Sequence, residues 1–522
     1  MSCRVVIPTA GIGSRLKTLT KYINKSLVSI SNRPVLSHII EQFPENYEFV
    51  IPLGHKGNLV RDFLELVYPD RTFYFTNVMP FNGKGSGLGL SLLSCESYLQ
   101  QPFIFISCDT LIRGKIPEPR HNWLGYAHRE HLSSYRTADI CDDEVVMINE
   151  KGTIKENLYA YIGLAGVYDY DIFWEAMHAG DKVAISQGET YGINRVLQTK
   201  KIYANQFEWF DTGSLENLKI ARKEYSQPND PNILEKDNEA IWFIHDNVIK
   251  YSNDEEFITN RVERAKELDG FVPEVCASKS NMYCYKKVDG RVLSEIISTD
   301  IFESFLEKCK ELWICKKLDT VKNKNFNYKC LEFYKDKTYK RLNLFYKNFN
   351  KKDNAEIINQ IRMPTLDYLL KKIDWIKISH GLAGRFHGDL HFENILYSPT
   401  NKLFTFLDWR QDFSGDLEIG DIYYDLSKIL HGLIVNHGII AKDLFTASWS
   451  EEKLEFNLPR KDVLVDCEQR FYEWILENNY DLKKIKILTS LIYLNIAALH
   501  HYPYCLLLYG LGKSMLYEEL KS

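Results

Sequence analysis

Short apolar runs that stop at turn residues recur through the first two hundred positions. CRVVIPTAG, YEFVIPLG, RTFYFTN and PFIFISCD each read as a strand ending at a turn residue. Between them, SHIIEQF, NLVRDFLELV and GLSLLSCESYLQ space their apolar residues as helices do. Strands alternating with helices predict an α/β domain around a parallel sheet. EYSQPNDPNILEKDNEA (224–240) breaks the pattern: it is polar, holds two prolines and has no period, as a linker does. AIWFIHDNVIKYS then predicts a β-hairpin turning at His245–Asn247, and EEFITNRVERAKEL an amphipathic helix. Beyond residue 295 the pattern is mostly helical. The halves differ in kind, and no internal repeat joins them.

A length of 522 residues suggests about three domains. Hydrophobic residues at 45% and charged residues at 26% fit a soluble globular chain. A net charge of −5 supplies no drive toward nucleic acid. The Lys-, Asn-, Phe- and Tyr-rich stretch 316–352 therefore reads as a solvated helical face rather than a nucleic-acid surface. Eleven scattered cysteines without a CxxC pair suggest neither zinc nor a disulfide framework, but reduced thiols in a cytoplasm. The opening MSCRVVIPTAG is already a strand and turn, so no signal peptide is expected. In ILTSLIYLNIAALHHYPYCLLLYGLG, Asn495, His500, His501 and Pro503 interrupt the run short of the roughly 20 apolar residues of a span. Buried helices are expected there, with no membrane insertion.

The stretch VVIPTAGIGSRLKTLTKYINKSL (5–27) runs from a strand into a glycine turn. Gly11 and Gly13 can aim backbone N–H groups at phosphate oxygens, and Arg15 and Lys25 can add positive charge. It is neither a GK[ST] phosphate loop nor a complete dinucleotide-binding fingerprint. Further on, PFIFISCDTLI delivers Asp109 at a strand end, and FEWFDTGSLENLKIAR sets Asp211 before Thr-Gly and a helix.

Across residues 3–224 this order resembles the sugar-phosphate nucleotidylyltransferase family. Asn24 and Ser26 stand where that family usually has prolines around the lysine. The resemblance implies that Asp109 and Asp211 bind Mg²⁺, that Arg15 and Lys25 stabilise a leaving pyrophosphate, and that Gly85 and Ser86 lie beside the base and ribose. YAYIGLAGVYDYDIFWEAM (159–177) matches the family's substrate-side strand and helix. The chemistry suits these residue types: an acceptor phosphate attacks an α-phosphorus, both partners are anionic, and no general base is needed.

HGDLHFEN (387–394) puts Asp389 and Asn394 five residues apart, and KLFTFLDWRQDF carries Asp408 at the end of an apolar strand. A carboxylate for the attacking hydroxyl and an amide and carboxylate for Mg²⁺ are what phosphoryl transfer from ATP needs. The set resembles the aminoglycoside phosphotransferase and choline kinase superfamily, and GDIYYDLSKI (420–429) resembles the segment that follows there. The resemblance implies that Lys250 grips the ATP phosphates, that Glu263 is its ion-pair partner, and that YCYKKVDGRVLSE (283–295) is the hinge at the adenine. His387 and His391 are expected to shape the loop, while Arg410 and Asp412 face the acceptor.

The expected fold class is α/β and α+β: a Rossmann-like mixed α/β nucleotidyltransferase domain (1–224), a linker (225–238), and a bilobal protein-kinase-like domain (239–522) with its small lobe about 239–295. The expected partners are a small alcohol or sugar, ATP, and CTP or another nucleoside triphosphate. The alternatives for the acceptor are choline or ethanolamine, a polyol, and a free sugar on a UDP- or dTDP-sugar route. The two sites would act in series toward an activated donor for surface polysaccharide. A single-activity chain with one regulatory half is the rival.

Overall fold

The computed structural model describes residues 3–227 and 236–521. The chain divides into two compact units. The first comprises residues up to Glu255 together with Cys276–Lys287, and the second comprises Glu256–Val275 and Val288–Ser522. Residues 228–235 of the expected linker lie outside the described residues.

In the first unit one mixed sheet runs in the order Phe73–Asn77, Glu48–Leu53, Arg4–Val6, Phe103–Ile106, Leu158–Val167, Trp123–Ala127, Tyr203–Gln206, Glu144–Asn149, Thr137–Cys141. The first four strands are parallel. The inner three bury their Val, Ile and Phe on both sides, as strands covered on both faces must, whereas the edge strand Phe73–Asn77 is half-buried. The parallel pairing expected from the alternation is found in these four strands. Leu158–Val167 runs antiparallel to Phe103–Ile106, and Thr137–Cys141 and Glu144–Asn149 form a tight hairpin. A two-residue turn can join only antiparallel neighbours.

Helices cover the sheet on both faces, and two buried clusters result. One contains Val5, Ile51 and Phe63, and the other Val6, Phe105 and Trp174. A four-stranded sheet, Glu239–Ile244, Asn247–Ser252, Met282–Lys286 and Val275–Lys279, adjoins the first cluster. Trp242 packs edge-on to Phe63 at 5.3 Å and donates to Ser29 Oγ, and Tyr251 OH donates to Tyr22 O. The sequence assigned these strands to the second domain, yet their apolar face is buried against the first.

The second unit is mostly helical. Its apolar C-terminal stretch forms the helices Leu482–Ala497 and Tyr504–Lys521, buried over most of their length. Among the described residues no helix is long and apolar enough to cross a membrane. The Lys-rich stretch forms Thr320–Leu331 and Lys337–Asn348, which bury Phe326, Leu342 and Phe345 and turn most lysines outward.

Candidate active sites

The first site lies at the C-terminal ends of Arg4–Val6 and Phe103–Ile106. The sheet order reverses direction between these strands, which opens a crevice at such points. A cavity of about 410 Å³ there is lined by Gly11, Arg15, Lys25, Ser86, Asp109 and Asp211, which the sequence had scattered over two hundred residues. Gly13 and Gly85 do not line it. Gly13 is left-handed (φ 70°), and a Cβ on it would lie 2.8 Å from Lys25 Cβ, so it lets Lys25 pass beneath the turn.

Asn24, in place of the family's proline, explains how Lys25 is held. Its side chain is buried, donates to Thr9 O and His55 O, and accepts from Ser26 N and Oγ. Lys25 Nζ then reaches Asp109 Oδ2 at 3.1 Å, with Arg15 at 4.0 Å from the same oxygen. Burial alone would lower the Lys25 pKa, but Asp109 raises it above the usual lysine value. Burial likewise pushes Asp109 up, and Lys25 with Arg15 holds it below the carboxylate norm. Both groups are charged at neutral pH.

Asp211 arrives by strand register. Glu208–Asp211 pairs antiparallel with Thr110–Arg113 and sets Asp211 opposite Thr110, next to Asp109. Tyr135 OH and Asn217 Nδ2 donate to Asp211 Oδ2, and Gly213 N donates to Oδ1. A Cβ on Gly213 would lie 2.9 Å from Asp109 Oδ2 and 3.1 Å from Asp211 Oδ1. The two carboxylates therefore face a cradle that only glycine leaves open. Two hard oxygen donors with room between them fit Mg²⁺.

The cavity also holds residues that no motif flagged. Glu189 lines its wall and is buried, and its Oε2 has no hydrogen-bond partner among the described residues. Burial raises its pKa to about 7 against the pull of Arg136.

The second site is the loop 385–394 and its surroundings. Leu407 N donates to Asn394 O and Arg410 N to His387 O, so the segment after Leu403–Phe406 is joined to the loop and Asp408 lies beside it. The Asp425 carboxylate accepts from His387 N, Gly388 N and Trp313 Nε1. Arg264, wholly buried, donates to the carbonyls of Phe386, Arg410 and Leu417. Neither Asp425 nor Arg264 was predicted. For Asp425 the available signal was a charge in the largely apolar helix Ile422–Ile434; the helix of Arg264 carries many charges and gave none.

His387 bears out the loop-shaping expectation. It is fully buried, its Nε2 bonds Leu407 O, its Nδ1 accepts from Asp389 N, and burial lowers its pKa to about 3. Asn394 Nδ2 donates to Asp389 O and Oδ2, which leaves its amide oxygen for a cation. Asp408 stands in left-handed backbone (φ 55°), which Asp tolerates, and meets Arg261 NH1 at 3.3 Å. An amide oxygen beside a carboxylate fits Mg²⁺ here as well.

The helix Glu255–Glu267 carries the glutamate expected to pair with Lys250. Glu263 lies on its exposed face and bonds Lys266 one turn on, while Arg261 is the residue turned to Asp408. Lys250 sits mid-strand opposite Ile241 and Tyr283.

Residues 352–455 match the APH family, described as the phosphotransferase enzyme family. The N-terminal region is similar to the bifunctional protein GlmU of Methanococcus vannielii, 23% identical over 223 residues, which are 40% of this chain and 51% of that one. The GlmU of Methanocaldococcus jannaschii is 24% identical over 232 residues, 42% of this chain and 53% of that one. The chain spans about half the length of these curated relatives. Among solved structures, UDP-glucose pyrophosphorylase complexed with UDP-glucose is 20% identical with a TM-score of 0.37, over 43% of this chain and 98% of that one. CTP:phosphocholine cytidylyltransferase from Streptococcus pneumoniae is 16% identical with a TM-score of 0.36, over 43% of this chain and 100% of that one.

The C-terminal part carries an APH phosphotransferase domain, and the N-terminal part resembles nucleotidylyltransferases.

Proposed function

We propose that the chain phosphorylates a small alcohol or sugar with ATP in its C-terminal half, and joins the phosphate product to a nucleotide in its N-terminal half. The observation that carries this reading is that each half holds its own acidic set, Asp109 with Asp211 and Asp389 with Asp408. A regulatory relic would have no use for either.

In the kinase step, the acceptor oxygen bonds the γ-phosphorus of ATP as the bond to the bridging oxygen breaks and ADP leaves. Asp389, ionised and fixed by Asn394, takes the hydroxyl proton. Lys250 binds ATP phosphates in this reading. In the transferase step, a phosphate oxygen of the product bonds the α-phosphorus of CTP and pyrophosphate departs. Arg15 and Lys25 stabilise the charge that builds on the leaving group, and the backbone at Gly11 and the Ser86 side chain face the nucleotide. Asp109 and Asp211 would hold one Mg²⁺, and Asn394 and Asp408 another; bound there, the ion neutralises phosphate charge. CTP is chosen because transferases of this kind that act on non-anomeric phosphates mostly use it. The product is then an activated donor for surface polysaccharide synthesis.

Two variants test the order. Asp389→Asn should abolish alcohol phosphorylation and leave nucleotide coupling of a synthetic phospho-substrate intact. Asp109→Ala should do the reverse and accumulate the phosphate. Loss of both activities from either change would sink the two-site reading.

A further inference from the structure

The two oxygens of Asp389 face different surroundings. Oδ2 is on the Asn394 side, with the metal-binding candidates. Oδ1 is 2.8 Å from Lys428 Nζ, which rises from the buried helix Ile422–Ile434. Beyond Lys428 lie two aromatic rings at right angles, Phe333 and Tyr424, 5.0 Å apart. Lys337 Nζ sits 4.3 Å from the Phe333 ring and 5.9 Å from the Tyr424 ring. The Arg410 guanidinium lies 4.9 Å from Phe333, and Lys428 Nζ lies 6.0 Å from Tyr424.

Three cations thus converge beside one carboxylate. Lys428 has Asp389, but neither Lys337 nor Arg410 has an ion-pair partner among the described residues. Arg410 spends its Nε on Asp412 O and leaves its terminal nitrogens over the ring. Burial, then Arg410, Lys428 and Arg341, lower the Lys337 pKa to about 7, with Asp389 pulling less strongly the other way. The backbone is shaped for this. A single π turn, Glu332–Asp336, interrupts the helical run and carries Phe333, with Lys337 directly after it. Such turns concentrate at functional positions.

We propose that this cluster is an acceptor subsite for an anionic alcohol, one whose hydroxyl lies at Asp389 and whose carboxylate or phosphate lies between Lys337 and Arg410. The inference rests on the kinase reading of the C-terminal half and gives the charge of its substrate. A quaternary ammonium would need free aromatic faces. Here the faces of Phe333 and Tyr424 already carry the chain's own cations, and choline would add a fourth positive charge. An anion would instead complete the site with charge-assisted hydrogen bonds.

Calorimetry on the full chain tests it, with saturating Mg-ADP and four probes: D-glycerate, glycerol 3-phosphate, glycerol and choline. One or both anions should bind at least tenfold tighter than glycerol or choline, and the stronger of the two identifies carboxylate or phosphate. Lys337→Met should weaken that anion about tenfold and leave the ADP affinity within twofold. Tighter binding of choline or glycerol, or no binding of either anion, overturns the subsite. A loss of ADP affinity in Lys337→Met also overturns it, because the cluster would then serve the nucleotide. Failure of the wild-type chain to bind ADP at all would count against the kinase reading itself.

Discussion

Lys428 holds the carboxylate of Asp389, with its ammonium 2.8 Å from Oδ1. The pair is internal to the second unit and joins a loop aspartate to a lysine 39 positions on in the chain. Burial would push Asp389 up, but Lys428 first and His391 next pull its carboxyl well below the usual range. Burial would also lower Lys428, and Asp389 raises it instead. Each keeps the other charged.

Removing the ammonium should therefore show in the pH dependence of phosphoryl transfer. With Lys428→Met, the Asp389 pKa rises, so the acid limb of the kinase pH profile should move upward. The rate at neutral pH should fall by about 10²-fold, the scale of a mispositioned general base. Nucleotide coupling, measured in the same samples, should keep its wild-type rate. An unchanged acid limb would show that Lys428 does not set the charge of Asp389.

Gly213→Ala tests the cradle between the two N-terminal aspartates. The added methyl would meet Arg15 NH2 at 2.8 Å, Asp109 Oδ2 at 2.9 Å and Asp211 Oδ1 at 3.1 Å. Nucleotide coupling should drop by about 10²-fold or more, since removal of a single charge-stabilising group costs that much. The Mg²⁺ needed for half-maximal coupling should rise, and the kinase rate should hold. Normal coupling in this variant would mean that the space at Gly213 is not used.

Asn24→Ala would strip four hydrogen bonds from a fully buried position. Two backbone carbonyls would be left without their donor, which costs about 2–4 kcal/mol of stability. Urea unfolding should show that loss. The substrate KM of the coupling step should rise too, because Lys25 loses its mooring. Proline at this position, as in the family, would supply no donor for Thr9 O and His55 O and should not restore stability.

Glu189 gives a stability prediction with a definite sign. Its folded pKa is raised, to about 7, while an unfolded glutamate titrates near about 4.3. A raised value means the folded state holds the proton more tightly. The contribution is full below the unfolded value and is lost as pH rises through about 7. The wild-type urea midpoint should therefore fall between pH 5 and pH 8. Glu189→Gln should flatten that dependence and be the more stable form at pH 8, by about 2–3 kcal/mol. A parallel pH dependence in the two proteins would refute the assignment.

Much of the fold was legible because each half writes its pattern locally. The four parallel strands, the hairpin at Glu239–Ser252 and the helix Glu255–Glu267 follow from period and turn residues alone. The antiparallel turn of the sheet at Leu158–Val167 was missed, since an apolar run does not state the direction in which it pairs. The face that Glu263 takes was not legible for a related reason. Several charged residues share that helix, and period alone did not tell which of them, Arg261 as it proved, turns to Asp408.

What the sequence determined by itself was the chemistry available at each strand end: Asp109 after PFIFISC, Asp211 before Thr-Gly, and Asp389 with Asn394 in one loop. Those positions need only a strand, a turn and a spacing, all local, while the roles expected of Asp109 and Asp211 came from the family resemblance. What only the tertiary structure decided was the company these groups keep. Gly213 opens the space between two aspartates, Lys428 and Lys337 come to Asp389 from separate helices, and Asn24 anchors Lys25. Such meetings depend on how distant apolar faces pack, and no residue's immediate neighbours in the chain carry that information.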